Sequence, residues 1–195
     1  MEIKFDELDY QEKAISSVVN LFEGQGIKQS NFTVVSNDLQ GKLWNENGIG
    51  NKIDLPNEKL IENMTRIQLQ NDIPPSEELV NNERQFNIEM ETGTGKTYVY
   101  LRSILKLNEQ YGFSKFVIVV PSLAIKEGVN KTLEMTKSHF KNQFNGIVYD
   151  SFTYDSKKLD QVRNFAVDST IQIMVINIQA FIKDVGLPVL IRPSY

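Results

Sequence analysis

The sequence predicts an α/β fold in which a parallel sheet is joined by crossover helices, and three features carry that expectation. An apolar-alternating run over 85–91 leads into the glycine-spaced turn Thr92-Gly93-Thr94-Gly95-Lys96-Thr97. The run Phe116-Val117-Ile118-Val119-Val120, closed by Pro121, is continuously apolar, as a strand covered on both faces of a parallel sheet must be. Helical and strand-like stretches then alternate to about residue 176. Such alternation brings successive strands side by side in parallel and lays the helices over the sheet.

Taken in order, the first helix is expected over 9–23, where Tyr10, Ala14, Ile15, Val18, Leu21 and Phe22 share one face and Gly24 and Gly26 end it. Residues 27–57 are rich in Asn, Gly and Gln, with one short strand-like run at Phe32-Thr33-Val34-Val35 and the single Trp44, which is assigned packing and no function. A second helix fits 58–69, and Asn71-Asp72-Ile73-Pro74-Pro75-Ser76 breaks it. Beyond the strand at 85–91 come a helix over 96–110 closed by Gly112, the strand 116–120, and a helix over 123–139. A strand near 147–149, a short helix over 157–165 and a strand over 171–176 complete the pattern.

Composition narrows the function. A chain of 195 residues with 41% apolar and 24% charged residues buries a real core and suits one α/β unit. The net charge of -4 means that any contact with nucleic acid comes from a local patch or a partner. The absence of cysteine excludes disulfides, thiolate metal sites and a cysteine nucleophile. The one histidine, His139, lies in the polar stretch Lys137-Ser138-His139-Phe140-Lys141 and reads as a solvated side chain, not a catalytic one. The N-terminus is acidic and mixed, and no apolar run reaches the length of a membrane span, so a cytoplasmic protein is expected.

The turn at 92–97 reads as a nucleoside triphosphate site. A strand that stops at a Gly-rich turn and feeds a helix aims backbone N–H groups at one spot, where the helix dipole also favours an anion. Gly93 and Gly95 permit the torsions and close approach that a Cβ would block, with Thr92 and Thr94 between and before them. Lys96 can reach the terminal phosphates, and the Thr97 hydroxyl can ligate Mg²⁺, which makes ATP and Mg²⁺ the expected cofactors. The strict P-loop pattern opens on a glycine, and Met90 stands there instead.

Met90 shifts the reading toward helicase-like ATPases, and longer stretches sharpen it. Residues Met90 to Arg102, Tyr111 to Ser122, Ala124 to Val129, Val175 to Phe181 and the N-terminal Lys4 to Gln11 together resemble the restriction (Res) subunit of type III restriction-modification enzymes, up to about Lys183. The resemblance implies a RecA-like, superfamily-two motor lobe with an ATP-driven action on double-stranded DNA. In the complete enzyme that lobe is coupled to a nuclease domain and a DNA methyltransferase (modification) partner. Gln11 resembles the glutamine that reads the adenine edge, since an amide both donates and accepts, although an exposed glutamine at a helix start would look the same. Ser122 and Lys126 occupy the place of the next helicase motif and are assigned to DNA phosphate. Capping of the following helix explains Ser122 equally well.

Hydrolysis in such motors also needs a carboxylate pair at a strand end and arginines from a second lobe. The match Asp6-Glu7-Leu8-Asp9 lies ahead of the turn, follows no buried strand and is set aside, so no residue is assigned as catalytic. The expected organisation is an N-terminal segment with the adenine-reading helix over 1–84, a partial ATP-binding core over 85–183 and an unmatched tail over 184–195. The expectation is thus an incomplete first motor lobe, a fragment or remnant that holds ATP and turns it over poorly alone. Two other readings stand beside it: a stand-alone nucleotide-binding interaction module completed by a partner chain, and a small P-loop NTPase or kinase unrelated to DNA.

Overall fold

The computed structural model describes residues 8–27, 29–37, 43–79 and 83–185. The acidic pair Asp6-Glu7, the beginning of the N-terminal match and the tail from residue 186 onward lie outside the described residues. The described residues divide into two compact units, one built from 8–25, 54–79 and 83–106, the other from the described parts of 26–53 and from 107–185.

In the first unit, α1 (Asp9–Asn20) and α2 (Asn57–Gln70) pack together through Ile15, Val19 and Leu60, all essentially buried. The first part of α3 (Lys96–Tyr111) adds Tyr98, Val99, Leu101, Ile104 and Leu105 to the buried set. Asn63 of α2 is 1% exposed because its amide nitrogen donates to the Leu21 and Glu23 carbonyls, at 3.0 and 2.9 Å. It thereby satisfies acceptors that the end of a helix leaves open. Glu23 also pairs with Arg66 at the surface, and that hydrogen bond holds its carboxyl below the usual range. Gly24, at φ +94, turns the chain out of α1. The Gln25 side-chain oxygen then accepts from the Asp54 N–H at 2.9 Å, so the backbone leaves and re-enters this unit at one spot.

The strand expected over 85–91 is absent as a ladder: a single bridge forms at Ile88. The side chains still alternate, with Phe86, Ile88 and Met90 half-buried and Gln85, Asn87, Glu89 and Glu91 exposed. Hydrophobic period fixes which side chains turn inward. A strand additionally needs a neighbour in register, which the period does not supply.

The second unit holds the sheet. Strands β3 (Lys115–Val120), β4 (Tyr149–Thr153) and β5 (Ile171–Asn177) run parallel in the order β3-β5-β4. This is the α/β arrangement that the sequence predicts. The strand buried throughout is β5, whose Ile171 to Ile176 are all covered, whereas β3, paired with β5 alone among the described strands, is mostly half-buried. β4 begins at Tyr149, the last residue of the expected strand, and ends four residues beyond it, because it is largely polar, a composition suited to the exposed side of an edge strand. Helix α4 (Leu123–Gln143) turns Val129, Leu133, Thr136 and Phe140 inward, and the Tyr149 hydroxyl donates to the Leu133 carbonyl at 2.8 Å. Burial pushes the Tyr149 phenol upward.

The poorly legible region 27–57 contains an antiparallel hairpin, β1 (Gln29–Asn37) with β2 (Leu43–Asn51), paired from Gln29↔Asn51 to Asn37↔Leu43. Trp44 lies on β2, and its side chain is outside the described set. Asn51 pins the hairpin to β3: its nitrogen donates to the Lys115 carbonyl at 2.7 Å, and its oxygen accepts from the N–H groups of Ser114 and Lys115. Helix α5 (Leu159–Val167) packs on the same hairpin. Between α5 and β5 the Asp168 carboxylate accepts from the Thr170 N–H at 2.7 Å and from its hydroxyl at 2.8 Å, which holds the carboxyl below its ordinary range.

Two outcomes follow from these contacts. Asn63→Ala leaves the buried Leu21 carbonyl without its donor and removes a second bond to the Glu23 carbonyl, and should lower the unfolding free energy by about 1 to 3 kcal/mol in urea titration. Because Asp168 is more acidic folded than unfolded, its contribution is present above the ordinary aspartate range and disappears as pH falls through its lowered pKa. The stability gap between wild type and Asp168→Ala should therefore narrow on acidification, and a gap independent of pH would contradict the assignment.

Candidate nucleotide site

The turn ahead of α3 has the geometry of an anion cradle. Gly93 and Gly95 both adopt left-handed torsions, φ +82 and +83, on either side of Thr94. Successive backbone N–H groups in such a turn converge on its concave side. Helix α3 starts at Lys96, and its first helical bond runs from the Val99 N–H to the Gly95 carbonyl at 3.0 Å. The N–H groups of the helix's first turn lie at its entrance, on the side of the turn. Thr92, Gly93 and Gly95 are exposed, while Thr94, Lys96 and Thr97 are half-buried at the helix entrance. A Cβ on Gly93 would meet nothing within 4 Å, so that side of the cradle is open.

A loop that turns its N–H groups toward a ligand turns carbonyls the other way, and these need donors. The Thr94 carbonyl receives the Gln11 side-chain nitrogen at 2.8 Å and the Tyr10 hydroxyl at 3.3 Å, while the Thr94 hydroxyl donates to the Glu91 carbonyl at 2.6 Å. Gln11 is 7% exposed, so it is no solvent-facing helix-start residue. A Cβ on Gly95 would lie 2.7 Å from the Gln11 nitrogen, which gives Gly95 a second reason to be glycine besides its torsion. Immediately after Gln11, Glu12 pairs with Arg102 of α3, whose guanidinium is buried. Tyr10, Glu12 and Arg102 escaped the sequence reading because no spacing rule connects the start of α1 to α3. A buried arginine shows only after folding.

The donor set fits a magnesium-bound triphosphate. Loop amides and the Lys96 ammonium match phosphate oxygens, and the Thr97 hydroxyl is a hard oxygen ligand. Beside the loop, a cleft of about 1010 Å³ is bordered by Tyr10, Val18 and Phe22 of α1, Met64 and Ile67 of α2, and residues of the 85–94 segment.

Ser122 and Lys126 belong to the second unit, at the carboxyl end of β3. Ser122 caps α4 by accepting from the Ile125 N–H at 3.3 Å, and its own O–H can still donate. Lys126 opens onto a cavity of about 420 Å³ at the carboxyl end of β4, where Tyr154, Ser156 and Lys158 also lie. His139 is half-buried and packs on Phe140 at 5.4 Å. No group of three or more His, Cys, Asp or Glu residues suited to a metal ion occurs among the described residues.

Comparison with known proteins gives a consistent set of matches. The family model described as Type III restriction enzyme, res subunit, matches residues 4–187. The StyLTI Res subunit of Salmonella typhimurium is 28% identical over 196 residues, covering 92% of this chain and 16% of that protein. The EcoPI Res subunit of Escherichia phage P1 is 34% identical over 143 residues, 70% of this chain and 13% of its own length. The EcoP15I Res subunit of Escherichia coli is 35% identical over 96 residues, or 48% of this chain and 10% of that protein. The chain thus spans 10% to 16% of the length of these relatives.

The cradle can be tested without any ligand. Gly95→Ala should cost about 1 to 2 kcal/mol of stability, the price of a left-handed torsion for a residue with a Cβ. It should also displace Gln11 from Thr94. Once displaced, Gln11 has nothing further to lose, so Gly95→Ala combined with Gln11→Ala should unfold in urea close to the single Gly95→Ala variant; fully additive losses would contradict the contact.

Proposed function

This chain belongs to the family of type III restriction enzyme Res subunits, and we propose that its residues form the ATP-binding portion of such a subunit, in a RecA-like motor lobe. The observation that carries the reading is the paired left-handed glycines, Gly93 and Gly95, at the entrance of α3 with Lys96 and Thr97 directly behind them. Thr92 to Lys96 surround the phosphates, Lys96 adds the charge-assisted contact to the terminal phosphate, and Thr97 holds Mg²⁺. When bound, Mg²⁺ neutralises charge on the phosphate oxygens. Gln11 contributes on the adenine side, where an amide can both donate to and accept from a base edge, and its side-chain nitrogen is held by the Thr94 carbonyl.

Ser122 and Lys126 serve DNA phosphate, a contact that positions duplex DNA without reading its sequence. In the whole enzyme the partners are double-stranded DNA and a modification methyltransferase, and the compartment is the cytoplasm, where that DNA lies. The segment 1–84 brings the adenine-side helix, and 85–183 supplies the phosphate loop and the strand-end contacts. The residues assigned here bind and position the triphosphate. Activation of water by a carboxylate and charge stabilisation by an arginine are separate requirements that none of them meets. The 195-residue chain by itself therefore holds ATP with slow turnover.

Lys96→Ala should weaken Mg²⁺-ATP binding by about 1.5 to 3 kcal/mol, the worth of one charge-assisted contact, in isothermal titration calorimetry. Unchanged affinity would count against the phosphate site. Rapid steady-state ATP hydrolysis by the purified chain, abolished by Lys96→Ala, would overturn the assignment of slow turnover.

A further inference from the structure

The phosphate loop is held from behind by three consecutive residues of α1. Tyr10 and Gln11 both donate to the Thr94 carbonyl, and Glu12 accepts from Arg102. Arg102 lies six residues beyond Lys96 on the same helix, which places it about 9 Å farther along the axis at 1.5 Å per residue. Helix α1 is therefore anchored at two separated points, one on the loop and one on the helix that the loop feeds. A single anchor would fix a position and leave an angle free. Two anchors fix both.

The chemistry of the second anchor is unusual for simple packing. Arg102 is 5% exposed, and taking a guanidinium out of water is unfavourable unless it is paired. A pair of apolar side chains of similar volume would join α1 to α3 at least as stably. What apolar side chains lack is direction: Arg102 Nη1 donates to a single Glu12 carboxylate oxygen, and such a charge-assisted hydrogen bond weakens steeply as its angle departs from linear. The directed contact sits one residue from Gln11, whose amide meets the Thr94 carbonyl beside Gly95, where a Cβ would displace the Gln11 nitrogen.

We propose that the Arg102–Glu12 ion pair positions the nucleotide site: it sets the angle of α1 on α3 so that Gln11 stays on the Thr94 carbonyl and the loop keeps the shape that receives triphosphate. Glu12 and Arg102 are positioning residues that act through Gln11. The nucleotide arm of the test rests on the ATP-binding reading given above, and the ligand-free arm does not.

The test uses the full 195-residue chain with Glu12→Gln, Gln11→Ala and the double variant, and Arg102→Lys as a milder second change. Amide hydrogen exchange over 91–96 is followed without ligand, Mg²⁺-ATP affinity is measured by calorimetry, and thermal unfolding checks the fold. Glu12→Gln should raise exchange in the loop and weaken ATP by about tenfold, the size expected for coupled residues in contact. The double variant should lose no more than the larger single loss, and Arg102→Lys should fall between wild type and Glu12→Gln. Loop exchange like that of wild type, or losses that add in the double variant, would overturn the proposal. Should Glu12→Gln fail to fold, the same cycle is run with Arg102→Lys and judged by the same two criteria. If loop exchange follows the cycle while wild type binds no ATP, the ATP-binding reading fails and the positioning role stands.

Discussion

The Thr94 carbonyl is the group around which the site is organised. For an anion to be met by backbone N–H groups, the loop must fold with its amides to one side, and its carbonyls are then driven to the other. A carbonyl turned inward without a donor carries the full penalty of an unmade hydrogen bond. Here the donors come from a helix more than 80 residues earlier in the chain, Gln11 and Tyr10 at 83 and 84 positions from Thr94. Loop shape, the smallness of Gly95 and the burial of Gln11 are consequences of one requirement, that both faces of a short peptide segment be satisfied at once.

The sheet is governed by a different constraint. β5 has neighbours on both sides and is covered at six successive positions, so its sequence, Ile171-Gln172-Ile173-Met174-Val175-Ile176, is nearly unbroken in apolar character. Gln172 is the exception, and its backbone N–H donates to the Ser114 carbonyl at 2.7 Å just before β3 begins. β4 has one neighbour and tolerates Asp150 and Ser151 at exposed positions. Rank within the sheet, not position in the chain, decides how apolar each strand must be.

That distinction explains what the sequence made legible. The helices were readable because each carries its own period: α2, α3 and α4 begin within a residue of expectation, and α4 runs four residues past its expected end to Gln143. The loop torsions were readable because only glycine serves at Gly93 and Gly95. Sheet pairing was not, since Ile88 and its alternating neighbours present a strand's pattern without a ladder, and the polar β4 hides its own start. The long hairpin of β1 and β2 was seen only at Phe32 to Val35, because Asn and Gly give little signal of either period. Within the site, Lys96 and Thr97 stand next to the glycines that reveal them. Arg102 and Glu12 become partners only when helices 90 residues apart meet.

The bond between Gln25 and Asp54 has a bearing on how the chain acquires its shape during synthesis. It joins stretches of the first unit that lie on either side of the hairpin in sequence, so α1 emerges from the ribosome well before anything it packs against. Glu12 waits for Arg102 across 90 residues, roughly 5 to 18 s at ordinary translation rates. Until α2 follows, Ile15 and Val19 have no buried surroundings, and a short isolated helix is only marginally stable in water. The residues of α1 are therefore made well before their partners on α3, and the contact between the two helices completes only when Glu12 and Arg102 have found each other.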